Sequence, residues 1–392
     1  MSRPAPVAFD ASISWDDVVA GAVPFSVPLR HRFRGVTSRE GVLLPGPSGW
    51  GEFAPFAEYP PEVAARWLAA ALEAAFGTWP APVRDAVPVN AIVPELTPEA
   101  AAAHVRECLD RDGTTTVKVK VSAAPTSSPT PSRHPSSPSL WVVDPSDGST
   151  THREGAPGAQ VGSRSTSSFA SDEDRVAAVR AALDHGGAPE GRIRVDVNGA
   201  WSVREAVTRL PVLDAAARGL EYAEQPCASL ADLAELRRRV NVPIAVDEGV
   251  RLAADTSDPR WRRQLREAAD VVILKPTPMG GVAAALRVAE LARVPVVVSG
   301  AMDTSVGLAA GVALAAALPE LPFACGLGTG SLLAADLVGA PSRPEGGRLP
   351  VVRPHPDPVA LAAARERLGD VAAAAWLVRL RAAYDALVAG AR

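Results

Sequence analysis

Eight short apolar runs recur along this 392-residue chain, and five of them carry charge at their C-terminal ends. The runs are 88–93, 116–121, 193–198, 220–225, 243–248, 271–275, 295–299 and 323–327. With one exception they start at steps of roughly 23 to 28 residues. Between most of them lies an Ala/Leu/Arg-rich stretch of helical period, such as 204–217 or 230–239. Strand, helix and strand at that spacing is the repeat of a parallel sheet. Eight such strands close a barrel more readily than they form an open sheet. An open doubly wound sheet calls for a Gly-rich fingerprint after its first strand, and only P-E-L-T-P follows Val93.

The exceptional interval separates Val121 from Ile193 by 71 residues. Its excess, 122–171, is rich in Ser, Pro, Thr and Gly, with little apolar content beyond Leu140, Trp141, Val142 and Val143. Such a composition cannot bury enough surface to offset ordering entropy. It predicts a disordered surface insertion, after which Ser171 and the acidic residues that follow it start a helix as N-cap and first turn. The segment 1–86 mixes extended pieces (25–33, 40–44 and 49–54) with an amphipathic helix over 61–76. It reads as an α+β capping domain. The barrel then occupies 87–341, and the helical stretch within 342–392 returns to pack on the cap.

Charge placement makes the strand ends informative. Side chains alternate across a strand, so Lys118 and Lys120 share one face, as do Asp196 and Asn198. Asp196, Glu224 and Asp247 end three successive runs, and Lys275 ends the next. A single Asp or Lys at a strand end is most often a solvated loop residue. Five such segments in register along one sheet point to one mouth, the C-terminal face where active sites of these barrels form. Inward lysines there need counter-charges, and three converging carboxylates repel unless a cation holds them. Oxygen-only donors select a hard ion, Mg²⁺ before Zn²⁺.

Composition excludes other classes. The net charge of −4 and the absence of a basic stretch argue against a nucleic-acid partner. Met1 to Ser12 has no apolar core of signal-peptide length, and no 18-residue apolar run occurs later, so no membrane role and a cytoplasmic location are expected. Cys108, Cys227 and Cys325 fit neither a disulfide framework nor a CxxC metal site, and read as buried free thiols. The G-L-G-T-G at 326–330 lacks the Lys-Ser/Thr of a phosphate loop. Nothing in the sequence sets the oligomeric state.

In order and spacing, K-x-K at 118–120, D-x-N at 196–198, E-Q-P from Glu224, the Asp247-Glu248 pair and Lys275 resemble the muconate-lactonising-like branch of the enolase superfamily. The resemblance spans nearly the whole chain except the insertion, which departs from the family pattern. It implies a (β/α)7β TIM-like barrel with an α+β cap built from both termini. Asp196, Glu224 and Asp247 would be Mg²⁺ ligands, with Mn²⁺ as a substitute, and Lys120 and Lys275 would flank a small carboxylate substrate. Asn198 and Glu248 would orient the lysine and the metal ligands. Superfamily chemistry uses a Lys or His base and Mg²⁺ to stabilise an ene-diolate.

A finer resemblance, to the family that makes o-succinylbenzoate in menaquinone biosynthesis, rests on 49–56, 195–201, 298–307 and 324–330. It implies a lyase that dehydrates 2-succinyl-6-hydroxy-2,4-cyclohexadiene-1-carboxylate, with Lys120 as base and then acid on one face and Lys118 beside it. Lys275 would stabilise charge on the other. Ser299, Gly300, Met302 and Gly326 would belong to the segments that hold the succinyl end, and cap loops 25–34 and 53–59 would set specificity. The same lysine pair equally suits racemisation of N-succinylamino acids or epimerisation of dipeptides.

Overall fold

Three extended stretches near the N-terminus form an antiparallel meander: β1 (Val23–Phe33), β2 (Val36–Gly46) and β3 (Gly49–Phe53). The computed structural model describes residues 9–10, 12–33, 36–122, 142–143, 150–151, 168–253 and 255–391. Helix Pro61–Phe76 follows, with proline in its first turn where a missing N–H costs nothing. Its Leu68, Ala71 and Leu72 are buried with Val42, Leu44 and Phe53 of the meander. The helix lies so close to β3 that a Cβ on Gly51 would sit 1.9 Å from the Ala71 carbonyl oxygen, so only glycine fits there. The last helix, Asp370–Ala391, adds Leu380, Ala383 and Leu387 to the same core. The helical stretch near the C-terminus breaks at Gly369, whose φ of 76° ends Pro358–Leu368.

The later runs build one parallel sheet from β4 (Ala91–Val93), β5 (Thr116–Lys120), β6 (Arg192–Asp196), β7 (Leu220–Glu224), β8 (Ile244–Val246), β9 (Val271–Leu274) and β10 (Val296–Val298). Their spatial order follows the chain. The ring closes through Cys325 and Gly326. Cys325 N donates to Pro88 O and Asn90 N to Cys325 O, while Gly326 N donates to Val298 O and Gly300 N to Gly326 O. The run at 323–327 is therefore an eighth stave of two single-residue parallel bridges instead of a continuous strand. Glycines at 326 and 328 shorten it, being poor strand formers.

Observed strands stop earlier than the apolar runs, for a local reason. Asn198 and Gln225 have φ of 52° and 43°, and Asp247 has helical φ and ψ. Each polar residue at the mouth thus turns the chain out of the sheet. The helix expected to start at Ser171 starts at Ser168. The stretch read as an insertion falls almost wholly outside the described residues. Burial of Cys108, Cys227 and Cys325 pushes their thiols up, to about 12, about 12 and about 11. No described helix is long and apolar enough to cross a membrane.

Two carboxylates of the cap fasten it to the barrel by capping barrel helices. Glu73 accepts from Val282 N at 2.6 Å and Ala283 N at 2.9 Å, at the start of helix Val282–Ala292. Glu52 accepts from Thr304 N, from Thr304 Oγ1 at 2.5 Å and from Gly307 N at 3.1 Å, at the start of helix Ser305–Ala317. A carboxylate at a helix N-terminus satisfies orphan donors and meets the positive end of the dipole. Glu73→Ala is expected to lower stability by about 1–2 kcal/mol. Urea unfolding should show a lower midpoint at unchanged slope; an unchanged midpoint would mean that Glu73 does not anchor the cap.

Candidate active site

The mouth is assembled by register. Lys120 pairs with Asp196 across β5 and β6, and Asp196 with Glu224 across β6 and β7. Asp247 follows β8 directly and Lys275 follows β9. With β4 as the first stave and Cys325–Gly326 as the eighth, the K-x-K strand is second and the Lys275 strand sixth. They lie four staves apart in a ring of eight, on opposite sides. The three carboxylate-bearing staves, third to fifth, run between them.

All three carboxylates are almost inaccessible: Asp196 is 2% exposed, Glu224 1% and Asp247 0%. Lys118 Nζ donates to Glu224 Oε1 and Oε2, both at 2.9 Å, and lies 3.1 Å from Asp196 Oδ2. Lys120 Nζ contacts Asp196 Oδ2 at 2.6 Å and Asn198 Oδ1 at 2.7 Å. Lys275 Nζ contacts Asp247 Oδ2 at 2.5 Å. Asn198 Nδ2 donates to Glu248 Oε1 at 3.3 Å. The residues singled out for metal and proton chemistry are thus gathered in one network of hydrogen bonds and ion pairs, Lys275 and Asp247 joining the rest through Arg251.

The electrostatics separate the three acids. Burial opposes the charge of Asp196, but Lys120 and Lys118 outweigh it and hold the carboxyl well below the usual range. Burial likewise opposes Asp247, whose neighbours Lys275 and Arg251 bring it down to about 2. Glu224 goes the other way: burial, then repulsion by Asp196, push it up to about 7 despite Lys118. Burial works against the Lys118 ammonium, yet Glu224 and Asp196 raise it above the ordinary lysine range.

Among the described residues, no three Asp, Glu, His or Cys side chains form a ready-made cage. Each carboxylate is drawn to a lysine instead. The donor set nonetheless fits a hard divalent cation, being three buried carboxylates on adjacent staves with no nitrogen or sulfur donor. Asp247 Oδ1 supports the fit, since it is a buried acceptor without a hydrogen bond, 3.3 Å from Arg251 Nε.

Ser299, Gly300 and Met302 line the same cavity as Lys118, Lys120, Asp196 and Lys275. Gly326 does not. It lies behind Ser299, whose Oγ donates to its carbonyl at 3.2 Å, and a Cβ there would strike that hydroxyl at 2.6 Å. Phe56 and Tyr59 bring one of the two cap loops to the cavity wall.

Several polar groups escaped the sequence reading. Gln225 Oε1 accepts from Asp247 N at 2.9 Å and so ties one carboxylate-bearing stave to the next. Arg251 lies within reach of Asp247, Glu248 and Tyr59; its spacing of four and three residues from the two acids was a readable signal. Arg194 fills the barrel below Asp196, bonded to Glu221 at 2.5 Å and Asn90 at 2.9 Å over the Tyr222 ring. Its place two residues before Asp196 on the same strand, and so on the same face, was a readable signal.

Two family models match the chain, "Enolase C-terminal domain-like" over 100–358 and "Enolase N-terminal domain-like" over 24–75. It is 50% identical over 364 residues to an o-succinylbenzoate synthase of Thermobifida fusca, covering 92% of this chain and 95% of that one. Against an o-succinylbenzoate synthase of Mycobacterium tuberculosis the identity is 43% over 367 residues, 93% of each chain. Among solved structures, a muconate lactonizing enzyme from Pseudomonas fluorescens superposes with a TM-score of 0.66 at 19% identity, covering 92% of this chain and 99% of that one. The L-Ala-D/L-Glu epimerase of Bacillus subtilis gives 0.62 at 20%, covering 86% and 96%. These two share the fold.

The raised Glu224 has a measurable consequence. Its folded value of about 7 exceeds the ordinary 4.5, so the proton it holds below pH 7 must leave before the carboxylate can bind a cation. Asp196 and Asp247 are already ionised there. Affinity for Mg²⁺ or Mn²⁺ should therefore rise about tenfold from pH 6 to pH 8 and then level off. Calorimetry in buffers of different ionisation enthalpy should show nearly one proton released at pH 6. A flat affinity across that range would contradict the assignment of Glu224.

Proposed function

Since the chain belongs to the enolase superfamily and, within it, to the o-succinylbenzoate synthases, we propose that its barrel mouth carries out their dehydration with Lys120 as the proton-transfer group. The reaction converts 2-succinyl-6-hydroxy-2,4-cyclohexadiene-1-carboxylate to o-succinylbenzoate, a hydro-lyase step of menaquinone biosynthesis. The observation that carries the reading is the match to o-succinylbenzoate synthases at 50% and 43% identity over more than nine-tenths of the chain.

Superfamily enzymes of this kind use a divalent metal. Here Asp196, Glu224 and Asp247 would hold it, and Mg²⁺, replaceable by Mn²⁺, is the ion their oxygen donors favour. When bound, it neutralises the negative charge that builds on the substrate carboxylate as the α-proton leaves.

The chain's own residues do the rest. Lys120 Nζ takes the α-proton, breaking the C–H bond, and Asn198 and Asp196 fix where that nitrogen sits. The same ammonium then returns the proton to the departing hydroxyl on the same face, so the C–O bond breaks and water leaves. One group serving both transfers gives a syn elimination. Lys118, shared between Glu224 and Asp196, keeps its charge throughout and holds both carboxylates in place. Lys275, four staves away, faces the opposite side of the substrate and stabilises charge without exchanging protons. Ser299, Gly300 and Met302 form the wall against which the succinyl arm lies. The enzyme is assigned to the cytoplasm with a small-molecule carboxylate as its partner.

Racemisation of N-succinylamino acids would use both lysines as acid and base, and the similarity to dehydrating enzymes disfavours it. Lys120→Ala is expected to lower kcat for dehydration by about 10²–10⁴-fold, the usual worth of one positioned acid–base group. Lys275→Arg, which retains charge but exchanges protons poorly, should keep more activity than Lys275→Ala. Equal losses in the two Lys275 variants would count against a purely electrostatic role. Fast inversion of N-succinyl-phenylalanine by wild type, with slow dehydration, would overturn the proposed reaction.

A further inference from the structure

A continuous line of hydrogen bonds runs from the cap to Lys120. Tyr59 OH accepts from Arg251 Nη1 at 2.8 Å, and Arg251 Nη2 donates to Glu248 Oε1 at 2.8 Å. That oxygen accepts from Asn198 Nδ2 at 3.3 Å, and Asn198 Oδ1 accepts from Lys120 Nζ at 2.7 Å. We propose that Tyr59 and Arg251 form a brace by which the cap sets the position of Lys120, making both of them positioning residues. The inference rests on the reading of Lys120 as the proton-transfer group.

The cap end of the line is held so that a change there reaches Lys120. Tyr59 is fixed on the cap: its ring lies 5.0 Å from that of Trp67 and 6.3 Å from that of Phe56, and its carbonyl accepts from Arg379 Nη2 at 3.2 Å. Arg251 is 6% exposed. Its planar fork reaches the tyrosine hydroxyl with one nitrogen and Glu248 with the other, while Nε faces Asp247 Oδ1 at 3.3 Å. The cap also grips the short helix Glu248–Arg251 and the turn after it, since Arg66 donates to the Arg251 carbonyl at 3.2 Å and the Ala253 carbonyl at 2.8 Å.

The asymmetry of the Asn198 amide completes the argument. Its NH₂ end faces a carboxylate and its carbonyl end faces an ammonium. A flipped amide would set NH₂ against Lys120 and a carbonyl against Glu248, both repulsive. Glu248, itself oriented by Arg251, therefore selects the amide orientation that holds the lysine. Removing the tyrosine hydroxyl leaves a buried guanidinium nitrogen without its partner, and the fork, the carboxylate and the amide lose their common registration. Misplacing a reacting group by about 1 Å can cost about 100-fold in rate.

The test is Tyr59→Phe, which keeps the ring and its packing. Wild-type turnover of the cyclohexadiene carboxylate is measured first. Its absence would sink the functional reading but leave the brace testable, as the same variant ratio can be read on α-proton exchange of N-succinyl-phenylalanine in deuterium oxide. The variant should lose about tenfold in kcat, with KM within about twofold and a melting temperature within about 4 °C of wild type. In an Arg251→Lys background the same change should have no further effect, because both residues act on one line. Unchanged kcat would overturn the brace. So would a raised KM at constant kcat, which marks a substrate contact. A loss that tracks the unfolded fraction, or full additivity with Arg251→Lys, would overturn it equally.

Discussion

Three carboxylates removed from water at the ends of adjacent strands dominate this structure. Buried charges of one sign are tolerated only when paired and hydrogen-bonded, and the surrounding residues answer that demand. Lys118 serves Glu224 and Asp196, Lys120 serves Asp196, and Lys275 and Arg251 serve Asp247. The pairing leaves Glu224 as the weakest acid of the three, up to about 7, and Asp247 near 2. One cluster therefore contains carboxylates fixed in charge and one whose charge follows pH. In the proposed reaction the lysines that balance it would also face the substrate from two sides.

The cap contributes Phe56, Tyr59 and Trp67 to the cavity wall, and it is attached through charge as well as apolar contact. Glu73 and Glu52 cap two barrel helices, and helix Asp370–Ala391 locks the helix that carries Glu73 against its sheet. Burial and the Asp303 carboxylate push Glu52 up to about 7, so this attachment also borders on titration. Tyr59 and Arg251 extend the same connection into the mouth. A cap that both dries the site and aligns its lysine would let one barrel chemistry serve different substrates through changes in the cap alone.

Much of this was legible in the chain because side-chain periodicity and strand order carry it. The repeat of apolar runs implied a parallel barrel, and the charges at 118, 120, 196, 224, 247 and 275 marked its mouth because nothing apolar explains them there. The eighth stave was less readable: a run holding Gly326 and Gly328 looks like a strand by spacing yet pairs at single residues. Strand ends were misjudged by a residue or two where Asn198 and Gln225 adopt positive φ, a local conformation that periodicity does not encode. Arg251 and Tyr59 lie 192 residues apart, so only the folded chain shows that they meet. Arg194 shares the inward face of Asp196 by alternation, but its partners Glu221 and Asn90 come from other strands and segments that only the folded chain brings to it.

Asp196, Glu224 and Asp247 are proposed to form one metal site at the C-terminal mouth of the barrel. Anomalous diffraction from crystals soaked in Mn²⁺ tests it most directly. A single strong peak is expected at about 2.0–2.3 Å from one oxygen of each of the three carboxylates, with the lysine contacts to them rearranged. A peak elsewhere, or one that leaves Glu224 bonded only to Lys118, would contradict it.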